Sequence, residues 1–263
     1  MREHAAVNES LEERRRQRLQ LRGRPAAAIM HEQRVNLPES VFNKVSRPAR
    51  YTGNEWNSVT KPWERVSLRV ALCYPDVYEV GMSNLALPVL YEMLNAWPDV
   101  LAERVFPPWP DMESLLRSGH APLRSLESGR PLDQFDVVAF SLGYELTYTN
   151  VLTVLDLGRI PLLQRERTRQ HPLVIAGGSC AVNPEPMADF VDLFFIGEAE
   201  DGLAALTDCM QRHREDRAAL LKAAARIESV SSAITVSFIA LRRSGRFSQI
   251  TATPCCRWVS MVS

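Results

Sequence analysis

The stretch Ser67-Leu68-Arg69-Val70-Ala71-Leu72-Cys73-Tyr74-Pro75-Asp76-Val77-Tyr78-Glu79-Val80-Gly81 decides the fold. Its first half is an apolar run of strand length. Its middle is a Pro-Asp loop reading Asp-x-Tyr-x-x-Gly, and a helical pattern over 83–96 follows. A strand that passes through a short polar loop into an amphipathic helix is one unit of a parallel α/β protein. The unit recurs: strands are predicted at 68–73, 101–106, 135–141, 172–176 and 191–196, with helices at 83–96, 111–118, 147–157, 184–189 and 199–226. Runs such as Phe135-Asp136-Val137-Val138-Ala139-Phe140 and Leu173-Val174-Ile175-Ala176 are nearly continuous in apolar residues, as strands are when helices cover both faces. The expected architecture is a flavodoxin-like (Rossmann-like) α/β fold, a five-stranded parallel sheet of order 2-1-3-4-5 with helices on both faces. In that order a ligand crevice opens at the carboxyl ends of strands one and three.

The sheet pattern occupies 51–228, flanked by a basic arm over 1–50 and an irregular tail over 229–263. Residues 1–50 hold eleven Lys/Arg against six Asp/Glu, so the excess positive charge of a chain with zero net charge sits in the arm. A polar helix is expected within it at 8–22, and Met30 offers a second start. Zero net charge gives no bulk attraction to nucleic acid or to an anionic membrane. With 46% hydrophobic and 24% charged residues the chain has the make-up of a globular domain. No run of about 18 apolar residues occurs, and no signal-peptide core. The five cysteines (Cys73, Cys180, Cys209, Cys255, Cys256) show no C-x-x-C pair and are odd in number, which points to a reduced, cytoplasmic setting. In the tail, residues 234–241 read as an isolated strand, the expected start of a further domain, cut short or altered by a shifted reading frame.

Polar and glycine-rich groups collect where the strands end: Asp76, Tyr78, Glu79 and Gly81 after the first; Ser141, Leu142, Gly143, Tyr144 and Glu145 after the third. Gly177, Gly178, Ser179 and Cys180 follow the fourth, and Gly197, Glu198 and Glu200 the fifth. All belong to one edge of a parallel sheet, which argues for a crevice. The loops resemble those of cobalamin-binding domains, known for Asp-x-His-x-x-Gly after strand one, Ser-x-Leu after strand three and Gly-Gly after strand four. Here the counterparts are Asp76, Tyr78 and Gly81; Ser141 with Leu142 and Gly143 in a tighter form; and Gly177-Gly178. The resemblance implies a cofactor-binding set of Asp76, Tyr78, Glu79, Gly81, Ser141, Leu142, Gly143, Gly177, Gly178, Ser179, Gly197 and Glu198. It implies paired glycines that let the cofactor's nucleotide tail lie against bare backbone. Tyr78 stands where the family's cobalt-ligating histidine would be; a phenol protonated at neutral pH is a poor ligand, so any cobalamin is expected without a histidine beneath the metal.

A narrower resemblance lies in Gly177-Gly178-Ser179-Cys180-Ala181-Val182-Asn183-Pro184-Glu185-Pro186 with Asp189, Asp192 and Ile196-Gly197-Glu198-Ala199-Glu200, which is similar to the amino-terminal domains of radical S-adenosylmethionine (SAM) proteins. What the chain lacks is the C-x-x-x-C-x-x-C triad that binds a [4Fe–4S] cluster and leaves one iron for SAM. The resemblance therefore implies a cobalamin-binding-like amino-terminal module that does not cleave SAM by itself. The cluster, SAM and catalysis are expected in a radical SAM barrel acting as its partner. The alternative is a domain that has kept the fold, lost the corrin, and serves as a structural or partner-binding unit. A stand-alone enzyme using Glu79 and Glu145 is a third reading. No catalytic or metal-ligating residue is assigned, and neither a membrane nor nucleic acid is an expected partner. The run Glu55-Trp56-Asn57 lies outside the sheet pattern, either as a strap over the domain or as a contact to the barrel.

Overall fold

The computed structural model describes residue 41 and residues 43–232. The expected helix at 8–22, the strand at 234–241 and the Cys255-Cys256 pair lie outside the described residues. Along the chain run β1 (Leu68–Cys73), α1 (Tyr78–Ser83), α2 (Ala86–Asn95), β2 (Val100–Val105), α3 (Pro110–Ser118), β3 (Val137–Ser141), α4 (Tyr148–Leu157), β4 (Leu173–Gly177), β5 (Leu193–Phe195), α5 (Ala199–Arg212), α6 (Arg217–Ala224) and β6 (Val230–Ser232). They form one sheet of order β2-β1-β3-β4-β5-β6. The first five strands are parallel, with Val70 opposite Val137 and Phe140 opposite Ala176. The flavodoxin-like order is as expected, and the sheet gains a sixth strand, since β6 pairs antiparallel with β5 and sets Val230 beside Phe195.

Alternate side chains of each strand enter two separate cores, the physical reason for helices on both faces. Ala71, Cys73, Val138, Phe140 and Val174 face the layer holding Met112 of α3 and Val151, Val154 and Leu155 of α4. Leu68, Val70, Leu72, Val137, Leu173 and Ile175 face Leu87, Tyr91 and Leu94 of α2, Leu206 and Met210 of α5 and Leu220 of α6.

Three expected helices come out differently, each for a local reason. The helix expected over 83–96 is broken at Asn84, whose Oδ1 accepts from the Ala86 amide at 3.0 Å, and Pro88 sits in the first turn of α2, where a missing N–H costs nothing. The long helix expected over 199–226 is two helices, because the Asp216 carboxylate accepts from the Ala219 amide at 2.9 Å and starts α6 afresh. At 184–189, Pro184 and Pro186 leave only the short 3₁₀ turn Glu185–Met187, which follows another at Ser179–Val182.

One buried ion pair fastens the amino-terminal ends of β4 and β5. Arg167, buried, donates to Asp192 Oδ2 at 3.1 Å and to the carbonyls of Pro161, Leu162 and Phe190. The same Oδ2 accepts from the Val174 amide at 2.7 Å and from Arg217 at 2.7 Å. Removing the carboxylate strands a guanidinium in the core. Asp192→Ala is therefore expected to destabilise the protein by about 3–5 kcal/mol, read as a lower urea midpoint.

Candidate functional site at the strand ends

β1 lies inside the sheet, and the chain leaves it toward β2 on one side and toward β3 on the other. The loops after β1 and β3 diverge at that point, and the expected crevice lies between them. In the structure a hydrogen bond spans it. The Tyr144 hydroxyl, from the loop after β3, donates to Asp76 Oδ2, and Asp76 Oδ1 accepts from the Val77 amide at 2.7 Å. Asn150 of α4 reinforces the closure by donating to the Pro75 carbonyl at 2.9 Å. The bond to Asp76, with burial, pushes the Tyr144 hydroxyl up to about 12.

Tyr78 points away from this crevice. Its hydroxyl donates to Glu55 Oε1 at 2.5 Å, and its ring meets Phe106 edge-on at 5.5 Å between centroids. Burial and the Glu55 carboxylate push its pKa up to about 12, so it stays a neutral phenol at physiological pH. Glu79 accepts from Arg50 Nε at 3.0 Å and from Arg47 Nη1 at 2.9 Å; the Arg50 bond does most to lower its pKa to about 2. Glu79 and Glu145 make no pair: the first is held by arginines, and the second opens a 3₁₀ turn (Glu145–Thr147).

The glycines divide by what would meet a side chain. A Cβ on Gly81 would lie 2.3 Å from the Phe106 ring, and one on Gly143 would lie 2.9 Å from the Tyr74 hydroxyl. At Gly178, with φ of +97°, a Cβ would lie 2.6 Å from the Leu142 carbonyl oxygen. That approach is made by the backbone itself: the Leu142 amide donates to the Gly177 carbonyl at 2.7 Å, and the Leu142 carbonyl accepts from the Cys180 amide at 3.1 Å. Ser141 pairs with Gly177 in register, and the Ser179 hydroxyl donates to the Gly143 carbonyl at 2.9 Å. Thus Ser141, Leu142, Gly143, Gly177, Gly178 and Ser179 form one joint between the loops after β3 and β4. Gly197, with φ of +113° and nothing within 4 Å of its Cβ direction, and the exposed Glu198 stand open beside it at the start of α5.

A second group, not foreseen, surrounds Tyr78. Arg104, buried in edge strand β2, donates from Nε to Glu127 at 2.6 Å, from Nη1 to Asn57 Oδ1 at 3.2 Å and from Nη2 to the Ser58 hydroxyl at 3.2 Å, with its guanidinium over the Tyr91 ring. A charged pair, Glu103-Arg104, inside an otherwise apolar strand run was the available signal, since such residues go inside only with partners. Arg50 likewise lies over Trp109, its centre 4.8 Å from that ring, and with Tyr51 and Tyr78 it borders a cavity of about 60 Å³ lined by Val105, Phe106 and Met112.

Comparison with known proteins bears on this edge directly. Residues 86–231 match the family model for radical SAM proteins, N-terminal. The chain belongs to that family. The match takes in β2 to β6 and the joint after β3 and β4, while the Asp76 loop precedes it. An uncharacterized protein of Methanocaldococcus jannaschii is 28% identical over 133 residues, 50% of this chain and 24% of that protein. The chain thus matches about a quarter of that relative's length. No solved structure matches. As a radical SAM N-terminal domain it has, among its described residues, no helix long and apolar enough to cross a membrane.

Two predictions follow from this geometry. Gly178→Ala is expected to cost about 2–4 kcal/mol in chemical unfolding, since both its φ and the Leu142 carbonyl oppose a side chain, whereas Gly177→Ala, whose Cβ meets Phe195 at an ordinary 3.5 Å, changes stability by less than about 1 kcal/mol. For the phenols, a folded pKa above the ordinary 10 means that their contribution to stability is complete below pH 10 and is lost as the pH rises through 12. Ultraviolet titration should show Tyr78 and Tyr144 among the late ionisations, with that of the more deeply buried Tyr91 later still. In Glu55→Gln the Tyr78 step moves down but stays above 10, burial being the larger cause.

Proposed function

We propose that this chain is the accessory N-terminal domain of a radical SAM enzyme, a partner-binding unit on a cobalamin-type fold whose strand-end crevice is closed to the corrin. SAM and a [4Fe–4S] cluster would be held by the catalytic domain it serves; the substrate belongs to that domain. The observation that carries the reading is the Tyr144 hydroxyl on Asp76, which ties together the two loops a corrin tail would have to part.

The donor set supports the same reading. The residue at the position of a lower cobalt ligand is Tyr78, a phenol engaged by Glu55 and protonated at neutral pH. The space beside Gly178 that a nucleotide tail would need is taken by the backbone of Leu142, and that beside Gly143 by Tyr74. These residues do not fit cobalamin. A working cobalamin module is the second reading, favoured by the open ground at Gly197 and by the ordinary spacing at Gly177.

Titration of the full chain with hydroxocobalamin, followed by absorbance and calorimetry, separates the two. The expected result is no saturable heat and no spectral change up to high-micromolar cofactor in the parent chain. Saturable 1:1 binding would overturn the accessory-domain reading in favour of a cofactor module.

A further inference from the structure

Residues 53–59 run past the side chains of Tyr78, Arg104 and Tyr91 as a strap held at nearly every step. Glu55 accepts from the Tyr78 hydroxyl, Asn57 and Ser58 accept from Arg104, and the Val59 amide donates to the Tyr91 hydroxyl at 2.7 Å. The Ser58 amide donates to the Glu55 carbonyl at 2.9 Å and closes a turn with Trp56 at its tip; Gly53 and Asn54, both at φ of 64°, lead the chain into it. Within this anchored frame Trp56 is wholly exposed. The anchors fix the turn and leave its largest apolar side chain in water. A tryptophan held in advance on a rigid turn loses little freedom on binding, which suits it to anchor an interface.

The strand-end loops carry further exposed apolar side chains. Leu85, Trp109, Leu146 and Val182, each after a different parallel strand, are also exposed. The strand-end segments 74–86, 106–113, 142–147, 178–187 and 196–199 contain seven Asp/Glu and no Lys or Arg. Arginines reach Glu79 and Glu113, while Glu145, Glu185 and Glu198 form no ion pair among the described residues. Such a surface disfavours anionic ligands. It also disfavours a second copy docked face to face, which would oppose acid with acid. It suits a cationic surface with apolar pockets.

We propose that Trp56 and the acidic, apolar strand-end face are the docking surface for a cationic face of the radical SAM catalytic domain. The proposal rests on the accessory-domain reading. It names that occupant because the family is defined by an N-terminal position and because about three quarters of the M. jannaschii relative lies outside the matched part.

The test titrates the full chain with the purified, cluster-reconstituted radical SAM domain from the same organism, a chain carrying C-x-x-x-C-x-x-C, followed by calorimetry and sedimentation. A 1:1 complex is expected, weakened by added salt, at least tenfold weaker with Trp56→Ala and slower to form with the pair Glu145→Lys and Glu185→Lys. Trp56→Ala should leave the unfolding midpoint unchanged, and Arg165→Ala at the opposite end of the sheet should leave affinity unchanged. A complex indifferent to Trp56 and to salt overturns the docking face while leaving the accessory role standing. No complex at all removes both. Self-association of the chain that disappears with Trp56→Ala would give the face to a second copy and overturn the proposal.

Discussion

In a parallel sheet that grows from β1 in both directions, the loops after β1 and β3 must part, and something has to fill the gap between them. In this protein it is filled by the protein itself. Tyr144 crosses to Asp76, Asn150 holds the Pro75 carbonyl, and Leu142 lies against Gly178. The rest of the strand-end edge follows from that closure. Asp76 and Tyr144 bond one another, and Gly81, Gly143 and Gly178 each admit a neighbouring loop or ring, while Gly197 stands open. The edge remains a meeting point of five loops.

That meeting point is supported from the side by the edge strand. β2 has one sheet neighbour; Asn95, Leu126 and Glu127 take backbone groups on its free side, and its Arg104 side chain holds the strap. Arg104 does most of this work, since one buried guanidinium serves Glu127, Asn57, Ser58 and the Tyr91 ring at once. A buried charge so fully engaged is tolerable. The chain thereby links a packing requirement to a surface feature: pairing the Arg104 guanidinium fixes the turn that carries Trp56.

Much of the fold was legible in the sequence because burial on both faces demands long apolar runs, and runs such as 135–141 have few other readings. What escaped was local. Asn84, by a side-chain turn onto the Ala86 amide, and Asp216, by capping the start of α6, divide expected helices in ways that the apolar period does not register, and Pro184 with Pro186 leaves only a 3₁₀ turn where a helix is expected. β6, three residues long, is too short for any periodicity to mark. At the edge, the polar residues were correctly gathered by their positions after strands, but their engagements were not. That Glu55 belongs to Tyr78, or Asn57 to Arg104 47 residues on, depends on how far apart in sequence two neighbours lie, and no motif records it.

The sequence by itself determined the alternation of strand and helix, the parallel order and the collection of glycine and acidic residues at one edge, because hydrophobic period and turn chemistry are local properties of the chain. The tertiary structure alone decided what each group at that edge meets: that Gly178 faces Leu142 and Gly197 open space, that the Tyr78 hydroxyl faces Glu55, and that Trp56 stands in water. Those outcomes turn on approaches of a few ångströms between segments far apart in the chain: a Cβ on Gly178 would meet the Leu142 carbonyl oxygen at 2.6 Å, and one on Gly197 would meet nothing.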